Sequence, residues 1–251
     1  MEEGKLSKTT VGAPQGSVIS PLLSNVYLHY VFDLWIEWWR SNRCRGDMVV
    51  VRYADDFVIG FESHSEATAC LEELRTRFAK FGLKLHDGKT RLIQFGRHAI
   101  EQRERHGEGR PETFDFLGFT HKCARTRKHG WFTVHRQTIA KRMRATLMAI
   151  KLNLRKRLNR PFGETAKWLR RVVQGWLNYH AVPSNSYRIN RFVGEVTRLW
   201  LQSLRRRSQR GRRAWPWSRM RRLVRRYLPL PHVSHPYPNV RFRARFKAGA
   251  V

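Results

Sequence analysis

Acidic side chains are scarce in this sequence. Asp and Glu number 19 against 50 Lys and Arg, which leaves a formal charge of +31. The shortage is concentrated: beyond residue 130 only Glu164 and Glu195 carry a carboxylate, facing 30 basic side chains, whereas residues 1–130 hold 17 acids and 20 bases. Such an excess goes beyond what solubility needs and points to a polyanionic partner. Cysteine is sparse too. Cys44, Cys70 and Cys123 are odd in number, widely spaced and form no CxxC pair. That excludes a disulfide-stapled framework and fits a reducing, cytoplasmic setting with no secretory leader expected. Long apolar runs are missing as well. The longest, Val18 to Trp39, is broken by His29, Asp33 and Glu37 and reads as a buried helix rather than a membrane span. No internal repeat and no long linker is evident, and 251 residues suit one large domain or two small ones.

What is present centres on residues 48–61. Val49 to Val51 and Phe57 to Ile59 are apolar and largely β-branched or aromatic, so each reads as a buried strand. Tyr53 to Asp56 lie between them, a length that suits a hairpin tip. Asp55 and Asp56 are adjacent there. A pair of carboxylates in a turn is commonly turn chemistry alone. It also offers oxygen ligands to hard cations such as Mg²⁺, and two such ions can clamp the attacking and leaving oxygens of a phosphoryl transfer.

The flanking pattern alternates helices and strands. Gly12 to Ser17 holds two glycines and a proline, a loop whose backbone can approach a ligand closely. Ser20-Pro21 is expected to cap and start a helix, with Leu23, Val26, Tyr27, Tyr30, Leu34 and Trp38 as its apolar face. Ser63 to Glu66 reads as a capping box, and Ala67, Cys70, Leu71, Leu74 and Phe78 as a buried stripe ended by Gly82. Leu83 and Leu85, then Leu92 to Phe95, are expected to form a second hairpin across the Asp87-Gly88 turn. Further strands are expected from Phe114 and from Trp131. From about Gln137 the period becomes helical: three amphipathic helices, then a short one at Arg219 to Tyr227. Their outer faces carry Arg142, Arg144, Arg155, Arg157, Arg170, Arg171, Arg205, Arg206 and Arg207 with almost no interleaved acid, which suits phosphate binding better than solvation alone. The Pro-rich stretch from residue 228 is expected to be extended, with Arg241, Arg243, Arg245 and Lys247 alternating with Phe242 and Phe246.

Taken in order, these motifs resemble the C-terminal portion of a group II intron-encoded reverse transcriptase/maturase, over nearly the whole chain. Gly12 to Asn25 is similar to the palm motif that precedes a long helix, and Tyr53-Ala-Asp-Asp56 to the catalytic hairpin. Gly82 to Leu85 with Lys89-Thr90 resembles the next palm motif. Phe114 to Phe119 resembles the primer grip, and Gly175 to His180 the thumb segment that binds intron RNA. The resemblance implies an α+β fold: a partial polymerase palm, with an antiparallel sheet and helices, over 1–125, then an all-α basic helical bundle, the thumb or maturase domain, over 135–227, and an extended tail over 228–251. It implies Asp55 as a metal ligand with Asp56 supporting it, and two Mg²⁺ ions in the intact family site. Pro14, Gln15 and Gly16 would line the nucleotide pocket, Lys89 would lie near the triphosphate, and Leu117 and Gly118 would position the primer end. The implied reaction is attack of a DNA primer 3′-hydroxyl on a deoxynucleoside triphosphate, copied from RNA.

The family's remaining metal-binding aspartate and its fingers lie upstream of the Gly12 loop. Only Glu2 and Glu3 are acidic before Gly12. The expectation is therefore a chain missing its N-terminal palm and fingers, weak or inactive in polymerisation by itself. Two readings are carried forward: an RNA-directed DNA polymerase with a splicing-assisting role on group II intron RNA, and a non-catalytic RNA-binding maturase remnant.

Overall fold

The computed structural model describes residues 18–209 and 211–237. The Gly12 loop with Pro14, Gln15 and Gly16, and the basic tail from Arg241, lie outside the described residues. The fold is α+β, with two small antiparallel sheets among helices in the described residues, and the chain divides into two compact units, 1–93 and 94–251.

The first unit opens with α1 (Ser20–Leu28), a π-helical turn (His29–Asp33) and α2 (Leu34–Asn42), which run on as one rod. Ile19, not Ser20, occupies the N-cap, with the proline just inside the helix. The expected apolar face is not the buried one. Leu23, Val26, Tyr27, Tyr30, Leu34 and Trp38 are exposed, while Val31, Phe32, Ile36 and Trp39 are buried. The rod is apolar on more than one side, so spacing alone could not choose its face. The wider π turn also shifts the register between its two halves.

Two strands, β1 (Met48–Tyr53) and β2 (Asp56–Phe61), pair antiparallel, with Tyr53 opposite Asp56. They are half-buried rather than buried on both faces. Met48, Val50, Phe57, Ile59 and Phe61 face the rod, whereas Val49, Val51 and Tyr53 are exposed. Phe32 meets Phe57 at 4.6 Å between ring centroids, and Trp39 meets Phe61 at 5.6 Å. Burial of an aromatic such as Phe32 or Trp39 contributes about 1.5–3 kcal/mol or more.

The layer is completed by α3 (His64–Lys80), which buries Ala67, Cys70, Leu74 and Phe78. Burial pushes the Cys70 thiol up to about 12, so it packs as an apolar group. The capping box does not form. Glu66 instead accepts from the Arg45 amide at 3.0 Å, and no side chain caps the helix start. Gly82, at φ 67°, ends the helix as expected, with the Leu83 amide donating back to the Phe78 carbonyl at 2.9 Å. The hairpin expected at 83–95 is absent. Those residues are irregular, held by a turn in which the Lys89 and Thr90 amides both donate to the His86 carbonyl. Leu85 inserts into the core, with Leu83 packed half-buried against it, from irregular backbone.

In the second unit, α4 (Arg97–Arg105) precedes a meander of β3 (Phe114–Phe116), β4 (Phe119–Arg125) and β5 (Phe132–Thr138), ordered β3-β4-β5. The bundle follows: α5 (Ala140–Lys156), α6 (Phe162–His180), α7 (Ser186–Arg205), the short α8 (Gly211–Ala214) and α9 (Trp217–Tyr227). Its core joins Met143, Ile150, Leu154, Leu169, Val173, Phe192, Val196 and Trp200. Trp176 stacks on Phe192 at 3.7 Å and 12°. The expected helical periods therefore map onto real buried stripes in this half.

Candidate catalytic hairpin and nucleic-acid interface

The tip between β1 and β2 is tighter than the spacing suggested. Tyr53 and Asp56 belong to the strands, and only Ala54 and Asp55 form the turn. Ala54 sits at φ 53°, a left-handed conformation that costs a residue with a Cβ about 1–2 kcal/mol. Both Asp55 and Asp56 are exposed. The chain thus holds a left-handed backbone position, as two-residue hairpin turns require, beside two adjacent carboxylates exposed to water.

Arg52 holds that turn in place. Its Nη1 donates to the Ala54 carbonyl at 2.9 Å and to Asn25 Oδ1 at 3.0 Å. Its Nε and Nη2 donate to the two carboxylate oxygens of Asp33 at 2.6 and 2.5 Å. One guanidinium therefore ties the hairpin tip to α1 and to the π turn, in a bidentate geometry that lysine cannot reproduce. The hydrogen bond from Arg52 holds the Asp33 carboxyl below the usual carboxylate range, against the opposing effect of partial burial, and the same pairing raises Arg52. Sequence reasoning missed Arg52, Asp33 and Asn25. The available signal was a single charge, Arg52, inside an otherwise apolar strand.

Asp55 and Asp56 supply hard anionic oxygens, the right chemistry for Mg²⁺. Two carboxylates are too few to bridge two ions, and no group of three or more His, Cys, Asp or Glu gathers to hold a metal among the described residues. The donor set is therefore partial, and no metal-centred step follows from these residues alone. Lys89 is exposed on the 86–90 turn of the same unit.

Leu117 and Gly118 form the β3–β4 turn, with φ of 46° and 81°. Within the second unit this turn is seated on α5 and α6. The Tyr179 hydroxyl donates to the Leu117 carbonyl at 2.7 Å, and the Tyr179 ring stacks on Phe119 at 5.6 Å. A Cβ at Gly118 would stand 3.2 Å from Arg142 Nη1, the movable end of a flexible side chain, so it is the left-handed backbone that favours glycine here. Beside it lies a buried polar knot. Asn185 accepts from the Thr138 amide at 3.0 Å and donates to Thr138 Oγ1 and the His180 carbonyl, each at 2.8 Å. Burial, reinforced by the Arg142 charge, depresses the His180 imidazole to about 4. The Gly175 to His180 motif, read from sequence as an RNA-binding segment, contributes Tyr179 and His180 to this internal scaffold.

The nine candidate RNA-binding arginines separate into two groups. Arg142, Arg144, Arg155, Arg170, Arg171 and Arg206 are exposed. Arg157, Arg205 and Arg207 are partly buried and make internal contacts. Arg207 donates to the Arg157 and Arg160 carbonyls, closing the end of α5, Arg205 donates to the Trp215 carbonyl, and Arg157 lies 4.8 Å from the Trp168 ring. Further exposed arginines, Arg221, Arg222 and Arg225, line α9. No helix among the described residues is long and apolar enough to cross a membrane.

Comparison with known proteins finds similarity in the first half of the chain. Residues 1–121 match the family model "Reverse transcriptase (RNA-dependent DNA polymerase)". "Protein YkfC" of Escherichia coli (strain K12) is a similar curated protein, 31% identical over a 146-residue alignment covering 44% of this chain. The match covers 38% of that relative's length.

Proposed function

With residues 1–121 matching reverse transcriptases as the premise, we propose that this chain contributes the Asp55-Asp56 hairpin and the Leu117-Gly118 turn to an RNA-directed DNA polymerase. The observation that carries the reading is the hairpin tip: two adjacent exposed aspartates, Asp55 in the two-residue turn and Asp56 at the start of β2, with the turn fixed by Arg52. Asp55 and Asp56 would hold Mg²⁺ together with carboxylates from outside the described residues. Bound there, Mg²⁺ would supply Lewis-acid activation and charge neutralisation for nucleotidyl transfer. The chain's own groups do the positioning. Arg52 fixes the turn that carries the aspartates, Lys89 offers a charge for a triphosphate, and the Leu117-Gly118 turn would offer its backbone to a primer end. Pro14, Gln15 and Gly16 complete the proposed nucleotide pocket.

The proposed partner of the basic bundle is folded RNA of the group II intron type, held mainly through phosphates by Arg142, Arg144, Arg155, Arg170, Arg171 and Arg206, with a splicing-assisting role. A second reading, an RNA-binding remnant without polymerase activity, is favoured by the partial donor set at the hairpin. Primer extension on an RNA template, with an N-terminal reverse transcriptase segment supplied in trans, separates them. The enzyme reading expects DNA synthesis that Asp55→Ala abolishes while RNA affinity stays within about 2-fold. RNA binding with no synthesis under any supplementation would overturn it in favour of the remnant.

A further inference from the structure

The tip of the β4–β5 hairpin carries an exposed aromatic pair with no role in the site above. Trp131 is 69% exposed, more than any other tryptophan among the described residues. His129 stacks on it at 4.8 Å between centroids and 26° between planes. The connection beneath is closely tied. The Thr126 amide donates to the Trp131 carbonyl at 2.7 Å, the Gly130 amide to the Thr126 carbonyl at 2.9 Å, and the Trp131 amide to Thr126 Oγ1 at 3.0 Å. Gly130, at φ 65°, permits the reversal. The indole is therefore displayed on a preorganised loop and is not part of either hydrophobic core.

The charges around it are basic. Arg125, Arg127 and Lys128 are all exposed. Of these three, Arg125 is approached by Glu101 and Glu104 of α4, at 3.9 and 3.7 Å, and no carboxylate lies within ion-pair distance of Arg127 or Lys128 among the described residues. An aromatic face open to water beside unpaired cations is matched by a nucleotide that can present its base face, with its phosphates reaching the cations. A base inside a duplex cannot present that face, because its neighbours cover it. An apolar protein surface would match the indole but not Arg127 and Lys128.

We propose that Trp131, backed by His129, is a stacking platform for an unpaired RNA base, with Arg127 and Lys128 holding the flanking phosphates. This rests on the nucleic-acid reading above and adds to it a single-strand site on the sheet rather than on the bundle.

The test is binding of the whole chain to a labelled 12-nucleotide single-stranded uridine RNA, and separately to a blunt RNA duplex of equal length. Trp131→Ala is expected to weaken single-strand binding about 5- to 100-fold, the loss of one base–aromatic stack, and to leave duplex binding within about 2-fold. Trp131→Phe is expected to retain most of the affinity. It should also lose the part of the tryptophan emission that RNA quenches in the parent chain. Replacing Arg127 and Lys128 with Ala should flatten the salt dependence by about one to two phosphate contacts. Unchanged single-strand affinity in Trp131→Ala, or equal losses for strand and duplex, would overturn the proposal, and altered self-association without altered RNA affinity would assign the platform to a protein surface instead. If the parent chain binds neither RNA, the nucleic-acid reading itself fails. If it binds both and Trp131→Ala is without effect, only this site fails.

Discussion

Arg52 makes four hydrogen bonds from one guanidinium, to the tip carbonyl of the hairpin, to Asn25 and twice to Asp33. Because its planar fork matches the carboxylate, Arg52→Lys should lose the simultaneous contacts while keeping the charge. Amide hydrogen exchange at Val51 to Phe57 should speed up about 10-fold, with exchange in the bundle unchanged. Uniform exchange across the hairpin would contradict the clamp. The pH dependence has a definite sign. Asp33 is depressed in the folded chain, so its contribution is complete above its ordinary value of 3.8 and is lost as pH falls through the lower folded value. His180 acts higher. Its folded value of about 4 lies below the ordinary 6.5, so the unfolded chain takes up a proton that the folded chain refuses. Stability from this group is complete above pH 6.5 and falls between 6.5 and about 4. Thermal unfolding of His180→Gln should lose less between pH 7 and 5 than the parent chain does. These residue-scale features were poorly legible in the sequence. Asp55 and Asp56 stand out as an adjacent pair, but Arg52, Asp33 and Asn25 are separated along the chain and meet only once the hairpin lies on the rod.

Among the elements, legibility followed amphipathicity. The helices α5, α6 and α7 each bury an apolar stripe, and their helical period was readable from about Gln137. The rod from Ser20 to Asn42 is apolar on two sides and contains a π turn, so the same argument chose its exposed face. The segment 83–95 alternates apolar and polar residues like a hairpin, yet it forms no strand in the structure and only Leu85 is buried. The β3–β4 turn is the element on which α5 and α6 converge. Gly118→Ala should destabilise the second unit by about 1–2 kcal/mol, since it forces a Cβ into a left-handed conformation against Arg142. Tyr179→Phe keeps the stack on Phe119 and removes only the bond to Leu117, for about 1 kcal/mol. Both appear as a lowered midpoint in denaturant unfolding, with Gly118→Ala the larger.

For the whole molecule, charge asymmetry is the dominant fact. A nearly balanced first half carries the carboxylate hairpin, and a second half with almost no acid carries the exposed arginines. Binding to RNA should fall steeply with salt, and each exposed arginine that contacts a phosphate should reduce the slope by about one when replaced by Ala. Arg170 and Arg171 are suitable positions. Arg207, whose guanidinium closes α5, should instead lower stability with little effect on the slope. The composition made this asymmetry readable at once, whereas which arginines are internal required the packed bundle. The central claim is that the Asp55-Asp56 hairpin does the chemistry of RNA-directed DNA synthesis. The most direct measurement is the primer-extension rate on an RNA template, with the N-terminal segment supplied, for the parent chain and Asp55→Ala side by side. The account predicts a fall of more than about 100-fold in rate, because a metal-held transition state is worth several kcal/mol. DNA synthesis that proceeds equally well in Asp55→Ala would contradict it.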